Sequence, residues 1–516
     1  MRVRGRARAG AALAGAALLV TAALSGCDSA PAPPQSSKGP SPRASEKPAG
    51  NTSAPGRPLE WRRCGAPEGG TAPGSAWRCA TLDVPLDHAE PGGETIGIAL
   101  IRRAATKRSE RLGSMLFDFG GPGGSGVDIL PRAASAYGRL NTRYDLVGFD
   151  PRGVAASSGV RCRGDEEQEK AYREVDMTPE TPAEEAAFIA DGRDFAAGCA
   201  RLSGRLLPHV GTTNAARDMD AIRRALGDEK LSYFGISYGT ELGGTYAHLF
   251  PESVGRFVLD AVVDPTADTV GHARNQATGF QRALENYLKS RGEDPAAGTR
   301  RVAALLGRID GHPLPTSSGR ELNESLAVLG IVAPLYSRSS WPALTAALDE
   351  AGNRGRGDRL LRLADSYNNR DGQGHYGTQS HSQRAISCAD AKARPTAAEA
   401  RALLPGFRRL SPVFGPFLAW DTAGWCAGWP VEGEHDTPEA SAQGAAPILV
   451  VGTTGDPATP YEGARRMADE LGEGVGILLT NEGEGHGAYG RSRCVTSLVD
   501  AYFLRGKVPA DGHVCS

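Results

Sequence analysis

Three glycine-flanked residues of this chain, a serine, an aspartate and a histidine, have the types and the order for covalent acyl transfer. Ser237 sits in Gly235-Ile236-Ser237-Tyr238-Gly239. The apolar and aromatic run before it, Lys230 to Phe234, reads as a strand, and Thr240 to Leu249 reads as a helix ended by Pro251. In a chain with 67 glycines the G-x-S-x-G pattern alone is weak, and its strand-before, helix-after setting is what makes it specific. A serine hydroxyl is a poor nucleophile near neutral pH and needs a base, usually a histidine oriented by a carboxylate. Asp456 lies in Gly455-Asp456-Pro457, directly after the apolar run Pro447 to Val451. His486 lies in Gly485-His486-Gly487, after a second run, Val475 to Leu479, with room between the two for one helix, Tyr461 to Leu471. Asp264, after an earlier strand, is the alternative orienter, and Glu482 and Glu484 read as solvent-exposed loop acids. The oxyanion formed in acyl transfer needs two N–H donors. One is Tyr238, the residue after the nucleophile. The other falls in Gly120-Gly121-Pro122-Gly123-Gly124-Ser125-Gly126, where Gly121 is favoured and Gly120 is the alternative. A phosphate-binding loop is the rival reading of that run, but no Lys-Ser/Thr follows it.

These residues require a scaffold of alternating strands and helices. Strands are expected at 96–101, 114–119, 144–149, 230–234, 255–259, 447–451 and 475–479, with helices at 214–226, 240–249, 461–471 and 494–503. That alternation indicates βαβ units and a mostly parallel sheet flanked by helices. A serine on a sharp strand-to-helix turn is the nucleophile elbow of an α/β-hydrolase, whose residues follow in the order Ser, Asp, His. The alternation stops after Asp264-Pro265 and resumes near Ala446. The interval is read as an inserted, mainly helical cap, with helices at 322–333, 341–351 and 360–367 and a polar loop over 368–382. The expected division is a core first part at 59–265, a cap at 266–445 and a core C-terminal part at 446–516.

The N-terminus reads as an export signal. Arg2, Arg4, Arg6 and Arg8 precede an uncharged apolar stretch, Gly10 to Leu24, too short to span a membrane. It ends in Leu24-Ser25-Gly26-Cys27, similar to a bacterial lipobox, so residues 1–26 are expected to be removed and Cys27 to carry lipid. An ordinary secretory signal is the alternative. Residues 27–58 are rich in Pro, Ser and Ala without apolar period and read as a disordered linker. Apart from Cys27, eight cysteines remain, an even number suited to an oxidising compartment. Sequence proximity suggests Cys64–Cys79, Cys162–Cys199, Cys388–Cys426 and Cys494–Cys515, although eight cysteines allow 105 pairings. No Cys/His spacing indicates a metal, and no cofactor is implied. The net charge of −2, with no basic block, argues against nucleic acid.

Together these segments resemble the secreted tripeptidyl aminopeptidases of actinomycetes, with proline iminopeptidases as more distant cousins. The resemblance covers nearly all of residues 60–516. It rests on the glycine loop, Asp150-Pro151-Arg152-Gly153, the elbow through Thr240, and the Asp456 and His486 loops. In the cap it rests on Tyr336-Ser337, Trp341-Pro342, Leu363-Ala364-Asp365, and the segments around Cys388 and Cys426, which supports that pair. One departure is Asp118-Phe119, where the family has Asn-Pro. The resemblance implies release of short peptides, expected to be tripeptides, from free amino termini; the export signal and lipobox place the enzyme on the outer face of the membrane or secreted, and a monomer is expected. The resemblance also implies a cap that closes one end of the groove and a cap carboxylate for the substrate ammonium, to which the sequence assigns no residue; Glu241 is near the elbow, with helix packing or exposure as alternative roles. The membrane is then a partner only through the lipid. A carboxylesterase on the same scaffold is the alternative function, and a catalytically idle binding lipoprotein is a third reading.

Overall fold

The computed structural model describes residues 59–66 and 71–516. The expected signal segment 1–26, Cys27 and the linker 27–58 lie outside the described residues. Twelve strands occur among those described: β1 (Arg62–Arg63), β2 (Trp77–Pro85), β3 (Thr95–Arg103), β4 (Gly113–Asp118), β5 (Tyr144–Phe149), β6 (Leu231–Ile236), β7 (Val254–Asp260), β8 (Leu314–Pro315), β9 (Glu321–Leu322), β10 (Ile448–Gly455), β11 (Gly476–Glu484) and β12 (His513–Cys515). Ten form one sheet in the order β1-β2-β3-β5-β4-β6-β7-β10-β11-β12, while β8 and β9 form a separate small hairpin. From β5 to β12 the pairings are parallel; β1, β2 and β3 add an antiparallel edge. The fold is that of an α/β-hydrolase.

Central strands β4 and β5 are buried along their whole length, as expected where helices cover both faces. One face packs Leu116, Val147 and Tyr233 against Met219, Leu242 and Met467, from the helices Thr212–Leu226, Tyr238–Leu249 and Tyr461–Leu471. The other packs Met115, Phe117 and Phe234 against Leu130, Val499 and Phe503, from Gly126–Ala133 and Arg493–Arg505. The antiparallel hairpin β2–β3 is an element that the expected strand at 96–101 captures only in its second arm. All four expected disulfides form. No helix among the described residues is long and apolar enough to cross a membrane.

Between β7 and β10 the chain is mainly helical, and Phe280, Leu326, Trp341, Phe414 and Trp420 share a hydrophobic cluster of their own. Two differences from the sequence reading bear on function. The polar loop expected over 368–382 ends earlier: residues from Gln379 onward form the helix Gln379–Asp390, whose Ala385, Ile386 and Cys388 pack into the main core rather than the cap cluster. The stretch between Asp150-Pro151-Arg152-Gly153 and the helix expected at 214–226, for which no element was expected, supplies the helices Asp165–Glu174 and Pro182–Ser203. Phe188 joins the cap cluster, and Glu169 bonds both Arg320 and Arg370 at 2.8 Å. Its amphipathic pattern is weak because this segment packs on two sides.

Candidate functional site

Ser237 is the single residue between β6 and the helix Tyr238–Leu249, at φ 57° and ψ −126°. A non-glycine residue in this region costs about 1–3 kcal/mol and persists only when its surroundings over-determine it. Here they do. Ser237 N donates to Asp260 O at 3.1 Å, Thr240 N and its hydroxyl donate to Ser237 O, and Tyr233 hydroxyl donates to Gly239 O at 2.7 Å. A Cβ on Gly235 would lie 2.3 Å from Gly239 O, so the turn closes only with glycine there.

Asp456, after β10, is fully buried and accepts from His486 Nδ1 at 2.9 and 3.1 Å. Its Oδ1 also accepts from Ala458 N and Thr459 N, and its Oδ2 from Gly487 N at 3.3 Å. With Nδ1 engaged by the carboxylate, Nε2 is the imidazole nitrogen left for a substrate or nucleophile. The cap fixes this loop as well: His486 N donates to Tyr336 O at 2.9 Å, and the two rings meet edge to face at 5.2 Å.

A residue that sequence reasoning missed joins these loops. Asp260, the last residue of β7, is 2 % exposed. Its backbone oxygen accepts from Ser237 N, while its carboxylate accepts from Ala488 N at 3.0 Å and Tyr489 N at 2.9 Å, just beyond His486. One residue thus ties the serine turn to the histidine loop. Burial raises its carboxyl above the usual range, the two N–H groups oppose this, and the charge of Asp456 adds to it. The signal was a carboxylate directly after the apolar run Phe257-Val258-Leu259, one position beyond the expected strand end. Asp264, the alternative orienter, bonds Arg466, Thr266 and Asn275 instead of the histidine. Glu482 is exposed, but Glu484 is a half-buried strand residue accepting from cap Asn286 at 2.9 Å, because β11 runs through both.

The glycine loop after β4 lies against the serine turn: a Cβ on Gly120 would be 2.9 Å from Tyr238 N. Gly120 N is already used, donating to Asp118 Oδ1 at 2.8 Å. Neither Gly121 N nor Tyr238 N donates to any described residue. Two neighbours hold the loop in place. Asp150, from the Asp150-Pro151-Arg152-Gly153 segment, accepts from Ser125 Oγ at 2.6 Å and Val127 N at 3.1 Å. Arg152, fully buried, makes a two-pronged bond to Asp218 at 2.6 and 2.7 Å, anchoring that segment in turn. On the cap side, Gln383 Nε2 donates to Gly121 O at 3.2 Å. Burial pushes the Asp118 carboxyl up to about 7, with Gly120 N–H opposing and Asp150 adding to the rise. The departure Asp118-Phe119 therefore places a titratable group behind the loop.

Over 494 residues the chain is 36% identical to serine protease Hip1 of Mycobacterium tuberculosis, covering 89% of this chain and 91% of that protein. It is 32% identical over 482 residues to a tripeptidyl aminopeptidase of Streptomyces lividans, covering 89% and 86%. The chain belongs to the tripeptidyl aminopeptidase-like family. The model of that family, described as TAP-like protein, matches residues 411–515, the part that carries Asp456 and His486. A further relative, 36% identical over 497 residues and covering 92% of this chain and 94% of the other, is named carboxylesterase B of M. tuberculosis. The chain is thus a serine hydrolase on the α/β-hydrolase scaffold, and its family includes proteins named as peptidases and one named as an esterase.

Proposed function

We propose that this protein is an exported serine exopeptidase that releases short peptides, tripeptides in the first instance, from free amino termini. The observation that carries the reading is the His486–Asp456 pair, held by the cap through Tyr336 and tied by Asp260 to the strained Ser237 turn. In this reading Ser237 Oγ attacks the scissile carbonyl and His486 Nε2 takes its proton. The Asp456 carboxylate holds Nδ1–H and stabilises the imidazolium, and Gly121 N–H and Tyr238 N–H receive the oxyanion. The amine leaves with the proton from His486, and water repeats the cycle on the acyl-enzyme. Residues 59–265 and 446–516 form the catalytic core, and 266–445 form the cap that closes one end of the groove and counts residues. Four disulfides support export to an oxidising compartment. Cys27 would carry the lipid that holds a monomeric enzyme at the outer face of the membrane. The carboxylesterase relative keeps a small-ester substrate as the second reading.

The test is a peptide of about ten residues, offered to residues 59–516 with a free and with an acetylated amino terminus and followed by mass spectrometry. Stepwise loss of tripeptides from the free form alone, absent in Ser237→Ala, supports the proposal. Cleavage of neither, with turnover of a simple ester, moves the assignment to the esterase.

A further inference from the structure

The helix Gln379–Asp390 belongs by sequence to the segment inserted between β7 and β10, yet it reaches both halves of the oxyanion site. Its N-terminal turn holds the glycine loop. Gln383 Nε2 donates to Gly121 O at 3.2 Å, and a Cβ on Gly123 would lie 2.6 Å from Gln379 O and 3.0 Å from Gln383 N. Ser382, fully buried, donates its hydroxyl to Gly153 O at 2.7 Å, which fastens the same turn to the Asp150-Pro151-Arg152-Gly153 segment. The last residue of the helix reaches Tyr238. Asp390 Oδ1 accepts from Thr212 N at 2.7 Å, Asp390 Oδ2 accepts from the Thr212 hydroxyl at 2.6 Å, and Thr212 Oγ1 lies 2.6 Å from the Tyr238 hydroxyl. All three residues are buried.

These bonds run in one direction. A hydroxyl carries a single proton, Thr212 gives its own to the Asp390 carboxylate, and Tyr238 therefore donates to Thr212 Oγ1. A Cβ on Gly211 would stand 2.8 Å from Asp390 Oδ1, so the carboxylate is seated directly on the turn that opens the helix Thr212–Leu226. A helix favours negative charge at that end and has N–H groups to spare there. Tyr238 opens a second helix, which leaves its N–H without an intrahelical acceptor, while its ring packs in the main core and its hydroxyl is held at the far end. With ring and hydroxyl both fixed, the backbone that carries the N–H has little room to rotate. Ser237 beside it gives no slack, being at φ 57°. We infer that Asp390 is a positioning residue for acyl transfer: acting through Thr212 it fixes Tyr238, and its helix thereby sets both oxyanion donors from one element. The inference rests on the serine-nucleophile reading with Gly121 and Tyr238 as donors, and it applies to peptide and ester substrates alike.

A mutant cycle on the Tyr238 hydroxyl tests this. Hydrolysis of p-nitrophenyl butyrate is measured, with kcat taken per active site titrated by a fluorophosphonate. Tyr238→Phe and Thr212→Val remove one hydroxyl each and should each lower kcat about tenfold with KM within about twofold, the scale of a donor displaced rather than lost. Because both act through one bond, the double variant should lie within about twofold of either single one. Thr212→Ser keeps the hydroxyl and should keep about half of kcat or more. Asp390→Ala should match Thr212→Val, and Asp390→Asn, which still accepts from Thr212 N, should recover about a third of the wild-type kcat or more. Wild-type kcat in Thr212→Val, losses that multiply to about a hundredfold in the double variant, or a Thr212→Ser enzyme as slow as Thr212→Val overturns the inference. Should Asp390→Ala fail to fold by circular dichroism, the Thr212 and Tyr238 variants decide it by the same outcomes. A wild type that neither labels nor hydrolyses the ester removes the nucleophile reading and the inference with it. Failure of the exopeptidase reading is separate: the wild type would then hydrolyse the ester and leave a free-amine peptide uncut.

Discussion

Replacing Gly120 by alanine should separate the glycine loop from the serine turn. The added Cβ would stand 2.5 Å from Ile236 O, 2.8 Å from Ser237 Cβ and 2.9 Å from Tyr238 N, all parts of the turn itself. None of these is the free end of a flexible side chain, so the two segments must part by several tenths of an ångström. Gly120 also sits at φ +83°, where an alanine costs about 1–2 kcal/mol. The proposed oxyanion donors, Gly121 N and Tyr238 N, lie one on each side of that contact. Loss of one such donor typically costs about 10²–10³-fold in kcat. We therefore expect Gly120→Ala to lower kcat on a p-nitrophenyl ester by about 10²-fold with little change in KM, and to lower Tm by a few degrees. Gly355→Ala is the matched control. It has φ +61° and nothing within 4 Å of the added atom, so it carries the strain without the collision. That variant should lose about 1–2 kcal/mol of stability and keep its kcat. A Gly120→Ala enzyme with wild-type kcat, or a Gly355→Ala enzyme with an equal loss, refutes the reasoning.

Three further perturbations probe separate parts. Asp260→Ala leaves Ala488 N and Tyr489 N without their acceptor at about 1–3 kcal/mol each, so stability and kcat should fall together; urea unfolding and ester kinetics check both, and an unchanged kcat removes Asp260 as a positioning residue. Burial first, and Asp390 second, push the Glu241 carboxyl up to about 8. The folded state then holds that proton more tightly than the unfolded one, and the associated stability is full below the ordinary value of 4.5 and lost as pH rises through about 8. Glu241→Gln should therefore narrow the Tm gap between acidic and alkaline buffer, and a gap as wide as that of the wild type contradicts it. Cys388 and Cys426 are 38 positions apart, which in the chain-entropy view is worth about 4 kcal/mol. The double serine variant should lose stability on that scale in denaturant unfolding. It should also lose kcat, because Cys388 lies on the helix whose Gln383 supports the glycine loop; full retention of kcat would separate the disulfide from the site.

Much of this was legible along the chain because each signal was local. The turn at Ser237 follows from a strand, two spaced glycines and a helix within twenty residues, and the positions after β10 and β11 mark Asp456 and His486 as loop residues at strand ends. Strand alternation gave the parallel sheet, and sequence proximity gave the four disulfides. The tertiary structure decided what depends on partners distant in sequence. Asp260 matters because parallel pairing brings the end of β7 beside both the Ser237 turn and the loop beyond His486. Glu484 lies in a strand rather than a loop because β10 pairs along it. Arg152 is a buried anchor because Asp218 arrives from the helix Thr212–Leu226 and the carbonyls of Pro85, Leu86 and His209 converge on its guanidinium. The helix Pro182–Ser203 belongs beside the cap through Phe188 and the carbonyl of Gly192, which accepts from Arg384, contacts that no periodicity announces. A backbone turn is encoded by its own few residues, whereas the satisfaction of a buried charge is a property of everything packed around it.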